Sequence, residues 1–155
     1  MKKVFKPASE VVSELDGIRR VVLEYALTTE RIVKQAKEPG FSSDSWQPLA
    51  EMVDTDNFAR IGNFKEQMDW PAYVQFLTDW APTAQWECSF KRITEHDSTV
   101  FLELEERTRM GDYHNVVNYL SGYELNIEGK IQHIDVYLQM ELPPVEMLQS
   151  YDGII

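Results

Sequence analysis

The sequence lacks the features that would tie the chain to a membrane or to an oxidising compartment. Its 155 residues include a single cysteine, Cys88, so no disulfide can form within the chain, and this favours a cytoplasmic location. No apolar run is long enough to cross a membrane. The first residues, MKKVFKPASE, carry lysines without an apolar run after them, so we expect no signal peptide and no membrane partner.

Positive charge is also scarce. The chain has 15 Lys and Arg against 26 Asp and Glu, a net charge of −11, and no basic cluster, so we expect no nucleic-acid partner. There is no phosphate-binding loop, no dinucleotide-binding fingerprint and no Gly-x-Ser-x-Gly elbow. His133 and Asp135 lie two residues apart without an evident third ligand, so we expect neither a metal nor a cofactor.

The length and composition predict a single domain over residues 1–155, with 43% hydrophobic residues to form its core. Helical periodicity places helices at about 9–38, 46–53 and 69–80. Ser9 is the expected N-cap of the first helix and Asp69 that of the third. The stretch NFARIGN predicts a short strand, and FKEQM after it a loop.

From about residue 84 to residue 140 the apolar period changes to two, which predicts four strands joined by the short connections HD, GD and EG. Connections this short make the strands antiparallel neighbours. Helices followed by an antiparallel sheet are an α+β plan. The short C-terminal tail is expected to pack over an edge.

Two turns predict the register of the sheet. We expect two-residue turns at Gly111-Asp112 and at Glu128-Gly129. The resulting pairs are Leu104 with Tyr119, Glu106 with Val117, Leu102 with Ser121, Ile134 with Tyr123, Val136 with Ser121 and Leu138 with Tyr119. Because side chains alternate across a strand, these residues share one face, which we expect the helices to cover.

The opposite face of the sheet is expected to be solvated. It carries His133, Asp135 and several charged residues, together with Phe101, Val116 and Leu120. Apolar residues on an otherwise solvated face predict a homodimer formed through the outer face of the sheet.

Three stretches carry a resemblance to a known family. GKIQHIDVYLQ resembles the closing strand of the SnoaL-like branch of the nuclear transport factor 2-like superfamily, where an aromatic residue, here Tyr137, follows six positions after the Ile. MVDTDNFARIGN is similar to the family's passage from helix to short strand, and TVFLELEERTRMGDYHNVVNYLSGYELNIEGK to its central hairpin. The order of the three covers nearly the whole chain.

The resemblance implies a cystatin-like α+β fold, in which N-terminal helices wrap a curved antiparallel sheet into a cone with an internal pocket. Members include polyketide cyclases, ketosteroid isomerases, dehydratases, epoxide hydrolases and non-enzymatic binding domains, so the fold does not fix the function. Isomerase-like members use a tyrosine on the first helix and two carboxyl groups on strands. Those positions are Tyr25, Arg60 and Ser121 here, and the acid position of the closing strand in SnoaL-like members is Val136.

Three residues are candidates for catalysis. Tyr25 is a candidate donor to an oxyanion, or a core tyrosine whose hydroxyl reaches the surface. Arg60 alternates with Phe58 and is a candidate for binding an anionic or carbonyl group with Glu106 as its partner. The alternatives are that it forms a salt bridge at the rim or points to water. Glu106 interrupts an apolar face, where burial raises the pKa of a carboxyl and suits a general base, although charged residues are also common near strand ends.

The remaining wall of the pocket is expected to be apolar and aromatic, as in most small-molecule sites. The residues expected to bind a substrate are Trp46, Phe58, Tyr73, Trp80, Tyr119, Ser121 and Val136. The tryptophans can equally serve to fill the cone.

The sequence therefore predicts a protein that binds a small, largely apolar, carbonyl-containing molecule. As an enzyme it would be of the polyketide-cyclase, isomerase or dehydratase type and would work without a cofactor. The alternative is a non-catalytic ligand-binding or dimeric interaction domain. The identity of the substrate is not encoded in any motif of the sequence.

Overall fold

The structure is a computed structural model that describes residues 4–142, 144–149 and 152–153. The helices of this part of the chain are α1 (Gly17–Gln35), α2 (Gln47–Ala50), α3 (Trp70–Trp80) and α4 (Val145–Leu148). The strands are β1 (Ala59–Ile61), β2 (Gln67–Met68), β3 (Gln85–His96), β4 (Thr99–Met110), β5 (Tyr113–Leu125) and β6 (Ile131–Gln139). Among the described residues, no helix is long and apolar enough to cross a membrane.

The six strands form one mixed sheet in the order β2-β1-β6-β5-β4-β3. The four long strands are antiparallel neighbours, as their short connections predict. β1 is the exception, because it runs parallel to β6 and pairs Arg60 with Ile134. With its helices on one side, the open sheet has the predicted α+β arrangement.

The first helix begins later than predicted. Residues Ala8–Glu10 and Val12–Glu14 form two 3₁₀ turns, and α1 starts only at Gly17. The interruption is local: Leu15 and Asp16 have extended backbone, and Gly17 has a φ of 58°, a left-handed value that only glycine adopts without strain. The apolar spacing continues through this break, which is why periodicity alone could not detect it.

Two other predictions on the chain's first half need correction. The segment FKEQM, predicted as a loop, ends in β2, where Gln67 pairs with Ile61. The predicted helix at 46–53 is only one turn of α-helix, preceded by a 3₁₀ turn at Ser43–Trp46. A capping box formed by Ser42 and Ser45 starts that turn, so the chain begins to coil before Trp46.

The predicted register of the β4–β5 hairpin is confirmed. Gly111 and Asp112 form its two-residue turn, and Met110 faces Tyr113. Leu104 lies opposite Tyr119, and Glu106 lies opposite Val117. The inner position of Glu106 therefore follows from a turn five residues further along the chain.

The register of β5 with β6 is also confirmed, although the predicted turn is wrong. Residues 126–130 form a longer loop in which the Asn126 side chain accepts hydrogen bonds from the amides of Glu128 and Lys130, both at 3.0 Å. A bulge at Gln132 then shifts the pairing by one residue. The two departures cancel, and Ile134 still faces Tyr123.

A second bulge lies in β3, where Lys91 has no partner between the pairs Phe90–Leu104 and Arg92–Glu103. The extra residue shifts the alternation of side chains along β3 by one position, so that Cys88 and Ile93, five residues apart, both lie on the inner side of the sheet. Bulges increase the twist of a strand, and this one lies in the edge strand against which α1 packs.

The inner face of the sheet and the helices enclose one hydrophobic core. Leu102 and Ile134 are buried on this face, whereas Val116 is 61% and Tyr137 55% exposed on the outer face. Beyond α1, the Nζ of Lys37 donates to the carbonyl oxygens of Val33 at 2.6 Å, Ala81 at 2.8 Å and Ala84. This amine joins the end of the first helix to the corner between α3 and β3.

Candidate active site

A cavity of about 260 Å³ lies between the inner face of the sheet and the helices α1 and α3. Six of the predicted site residues line it: Tyr25, Arg60, Tyr73, Trp80, Glu106 and Tyr119. The other four predicted residues are not part of the wall. Trp46 is buried and donates to the Thr78 hydroxyl at 3.1 Å, while Phe58, Ser121 and Val136 lie within the core.

Tyr25 lies on α1 with its ring edge-on to Tyr123, at 5.9 Å between centroids. Its hydroxyl is buried and has no hydrogen-bond partner among the described residues. Burial, followed by the neighbouring tyrosines, raises the pKa of Tyr25 well above its usual value, so the hydroxyl keeps its proton. A buried donor without a partner is costly, and a ligand acceptor in the cavity would satisfy it.

Glu106 is the acidic residue of the cavity wall, and it is 8% exposed. Burial raises the pKa of Glu106 to about 7, against a hydrogen bond from Trp86 and the charge of Arg60, which both lower it. Glu30 of α1 adds a smaller raising effect. A carboxyl group that is half-protonated near neutral pH can both accept and donate a proton.

Arg60 lies on β1 and is the one cationic residue of the described wall. Among the described residues its ion-pair partner is Glu66 and not the candidate Glu106, with 3.8 Å between Nη1 of Arg60 and Oε1 of Glu66. The guanidinium also lies over the ring of Tyr73, 4.9 Å from its centroid. The reason is the tight β1–β2 connection, which turns Glu66 back under Arg60.

Aromatic rings support the wall from behind. Phe58 stacks on Tyr73 at 6.0 Å and meets Trp70 edge-on at 5.2 Å between centroids. Within the wall itself, Trp80 and Trp86 meet edge-on at 6.4 Å between centroids. Phe58 therefore acts on the cavity through Tyr73 and does not reach it.

Several wall residues are not among the predicted site residues. Those on the strands include Thr108, Met110, Tyr113, Asn115 and Tyr123, and Met140 follows the end of β6. Most of them continue the inner-face alternation of β4 and β5 beyond Glu106 and Val117, so the pattern could have found them. Phe64 in the β1–β2 loop and Leu148 in the C-terminal tail gave no such signal. The tail residues 143, 150, 151, 154 and 155 lie outside the described residues.

The other reactive side chains are not part of the described cavity wall. His133 and Asp135 face outward and lie 3.0 Å apart. The Cys88 thiol is buried and donates to Glu30 at 3.1 Å, and burial raises its pKa. The described residues contain no group of three or more His, Cys, Asp or Glu that could hold a metal ion.

Comparison by sequence finds no match to any family model and none to the curated proteins. Comparison of structures finds many. A protein assigned to the SnoaL-like polyketide cyclases, from Jannaschia sp. CCS1, has a TM-score of 0.58 at 11% identity, covering 90% of this chain and 96% of that one. An NTF2-like protein from Anabaena variabilis has a TM-score of 0.56 at 16% identity, covering 82% and 96%.

A third similar structure is an LEH-like epoxide hydrolase from Mycobacterium tuberculosis, with a TM-score of 0.54 at 11% identity, covering 83% of this chain and 90% of the hydrolase. At these identities the likeness is one of fold. It agrees with the mixed sheet and the helices packed on its inner face.

Replacing Glu106 by glutamine should change how stability depends on pH. A carboxyl whose pKa is raised in the folded state stabilises the fold below its unfolded pKa, near 4.5, and this contribution is lost as the pH rises through about 7. Between those pH values the free energy of unfolding of the wild type should fall by on the order of 3 kcal/mol relative to that of Glu106→Gln, because one pKa unit corresponds to about 1.36 kcal/mol. Denaturant titrations across this range measure it.

The matched control is Glu95→Gln on the exposed part of β3, which should follow the wild-type profile. Parallel pH profiles for the wild type and Glu106→Gln would contradict the assignment of a buried, protonatable Glu106.

The chain has the fold of the nuclear transport factor 2-like superfamily, as its sequence resemblance predicts.

Proposed function

We propose that the cavity binds a small, largely apolar molecule with a carbonyl group and catalyses proton transfer on it without a cofactor. The observation that carries this proposal is Glu106, a buried carboxyl with a pKa near 7 in an apolar wall. Proton transfer is most efficient when the pKa of the catalytic group lies near the working pH.

The reaction follows from the chemistry of the wall. Glu106 as carboxylate removes a proton from the carbon next to the carbonyl, and the electron pair moves to the carbonyl oxygen. The Tyr25 hydroxyl, which has no hydrogen-bond partner among the described residues, donates to that oxygen as its charge develops. Glu106 then returns the proton to the same carbon or, where a conjugated double bond extends the enolate, to the far end of that double bond. In a cyclisation the enolate carbon instead attacks a second carbonyl carbon of the same molecule, the π bond of that carbonyl opens to an alkoxide, and the alkoxide takes the proton from Glu106.

The size and polarity of the cavity limit the ligand. At about 260 Å³ it is slightly below the usual range of roughly 300–1,000 Å³ for ligand pockets, which favours a compact molecule of one or two rings. The aromatic and aliphatic wall favours apolar rings. The similar structures include a protein assigned to the polyketide cyclases and an epoxide hydrolase. We extend only the cyclase chemistry, which acts on carbonyl compounds, to this chain.

A non-catalytic binding protein is the second candidate. It is favoured by Arg60 and Ser121, which stand where isomerase-like relatives are expected to have carboxyl groups. The two candidates share the cavity and differ in whether Glu106 moves a proton.

Hydrogen exchange on β-tetralone, a bicyclic ketone with acidic α hydrogens, distinguishes them. Proton NMR in heavy water follows the loss of these hydrogens. The wild type should accelerate the exchange. In Glu106→Gln the exchange rate should fall by at least about 100-fold, because the base is gone. Tyr25→Phe should also slow it, because the enolate oxygen loses its donor.

The control for this experiment is again Glu95→Gln, which should exchange at the wild-type rate. Binding of β-tetralone without any exchange would favour the non-catalytic candidate. Equal exchange rates for the wild type and Glu106→Gln would refute the proposed role of Glu106.

We further propose that the protein is a cytoplasmic homodimer. The buried thiol of Cys88, which forms no disulfide, supports the compartment. The exposed Phe101, Val116 and Tyr137 on the outer face of the sheet support the dimer, because an apolar surface of this kind is normally covered by a partner.

Light scattering at micromolar concentration should give twice the chain mass of 18.1 kDa. Val116→Glu should shift the protein towards the monomer, because it puts a charge into the interface. Ile127→Glu in the exposed β5–β6 loop should have no such effect. A wild type that is monomeric throughout would exclude this interface.

A further inference from the structure

Arg60 has two carboxyl neighbours, and it is paired with only one of them. Glu66, on the connection between β1 and β2, lies 3.8 Å from its guanidinium and is 2% exposed. Glu66 is not part of the cavity wall, whereas Arg60 and Glu106 are. Arg60 is therefore paired with a carboxylate behind the wall, and its charge also acts on Glu106, a wall carboxyl that has no salt bridge among the described residues.

The β1–β2 connection holds the Glu66 side chain in place. Its Oε2 accepts a hydrogen bond from the amide of Phe64 at 2.9 Å. The backbone closes the turn, with the Gly62 amide donating to the carbonyl oxygen of Glu66 at 2.9 Å. A Cβ on Gly62 would lie 1.6 Å from Oε1 of Glu66, so only glycine leaves room for this carboxylate.

The groups that face Glu106 come from four elements. They are Arg60 from β1, Glu30 from α1, Trp86 and Cys88 from β3, and Tyr119 from β5. Of these, Arg60 is the one cation, and Glu30 is already engaged by Lys34 at 3.1 Å and by the Cys88 thiol. Burial favours the protonated form of Glu106, and among the charged groups around it Arg60 is the one that favours the carboxylate.

We propose that Glu66 is a positioning residue that keeps the Arg60 charge paired behind the wall and so leaves Glu106 able to exchange a proton. The inference rests on the proposed function, because it assigns Glu66 a role through Glu106. Without the Glu66 charge, Arg60 would be a largely buried cation in need of a carboxylate, and Glu106 is the one in the described cavity wall. Glu106 would then be a paired anion and a poor base at neutral pH.

The protonation of Glu106 can be followed without any ligand. Isotope-labelled glutamate carboxyl carbons are titrated by NMR, and the Glu106 signal is assigned by its absence in Glu106→Gln. In Glu66→Gln the midpoint of Glu106 should fall by about one pH unit or more, as for a carboxyl group that gains a cationic partner. Failure of this test leaves the exchange experiment on β-tetralone unaffected, so the two proposals are tested separately.

The double variant Arg60→Gln with Glu66→Gln is the control, because Glu66 acts through Arg60. In it the midpoint of Glu106 should stay at or above that of the wild type. A midpoint that is unchanged in Glu66→Gln, or that falls equally in the double variant, would overturn the proposal.

If Glu66→Gln does not fold, the midpoint of Glu106 should also fall in Glu66→Asp, by a smaller amount. If neither single variant folds while the double variant does, Glu66 is structural only and the proposal is wrong.

Discussion

The pairing of β4 with β5 is the constraint on which the rest of the site depends. The side chains of a strand alternate, so a slip of one residue would turn the whole inner set outward. Gly111, with a φ of 58° at the tight turn, prevents that slip. Glu106, Tyr119 and Tyr123 all reach the inner side through this register.

The charges of the cavity follow from where the carboxylates lie relative to one another. Lys34 and the Cys88 thiol engage Glu30, and Arg60 engages Glu66. Of the three acids Glu30, Glu66 and Glu106, Glu106 alone has no salt bridge among the described residues. Burial raises its pKa to about 7. The described wall thus has a single carboxyl group, which changes its charge near neutral pH, and a tyrosine hydroxyl that has no partner among the described residues.

Much of the sheet could be predicted from the sequence because strand alternation and short turns are local signals. The pairing of Ile134 with Tyr123 was correct even though the turn at Glu128-Gly129 was not, since the loop and the Gln132 bulge compensate. Glu66 could not be identified in this way. Its role arises from a turn that brings it under Arg60, and nothing in the spacing of FKEQM indicates that the carboxylate points inward.

The helices were predicted less well for a related reason. Apolar spacing continues from Val11 to Ile18 across the break at Leu15 and Asp16, so periodicity joins two segments that the backbone separates. For the site, the same limit applied to Trp46 and Val136. Both residues face inward. Whether an inward-facing residue lines the cavity or packs in the core depends on how side chains from distant elements pack together, which no local pattern shows.

Native mass spectrometry of the protein with bound small molecules tests the proposed ligand site most directly. Val117 lies in the wall and Val116, its neighbour on β5, lies on the outer face, so phenylalanine at each forms a matched pair. A neutral ketone such as β-tetralone should bind to the wild type and to Val116→Phe, and binding should be lost in Val117→Phe, whose ring fills the cavity. Retention of the ligand by Val117→Phe, or its loss in Val116→Phe alone, would contradict the account.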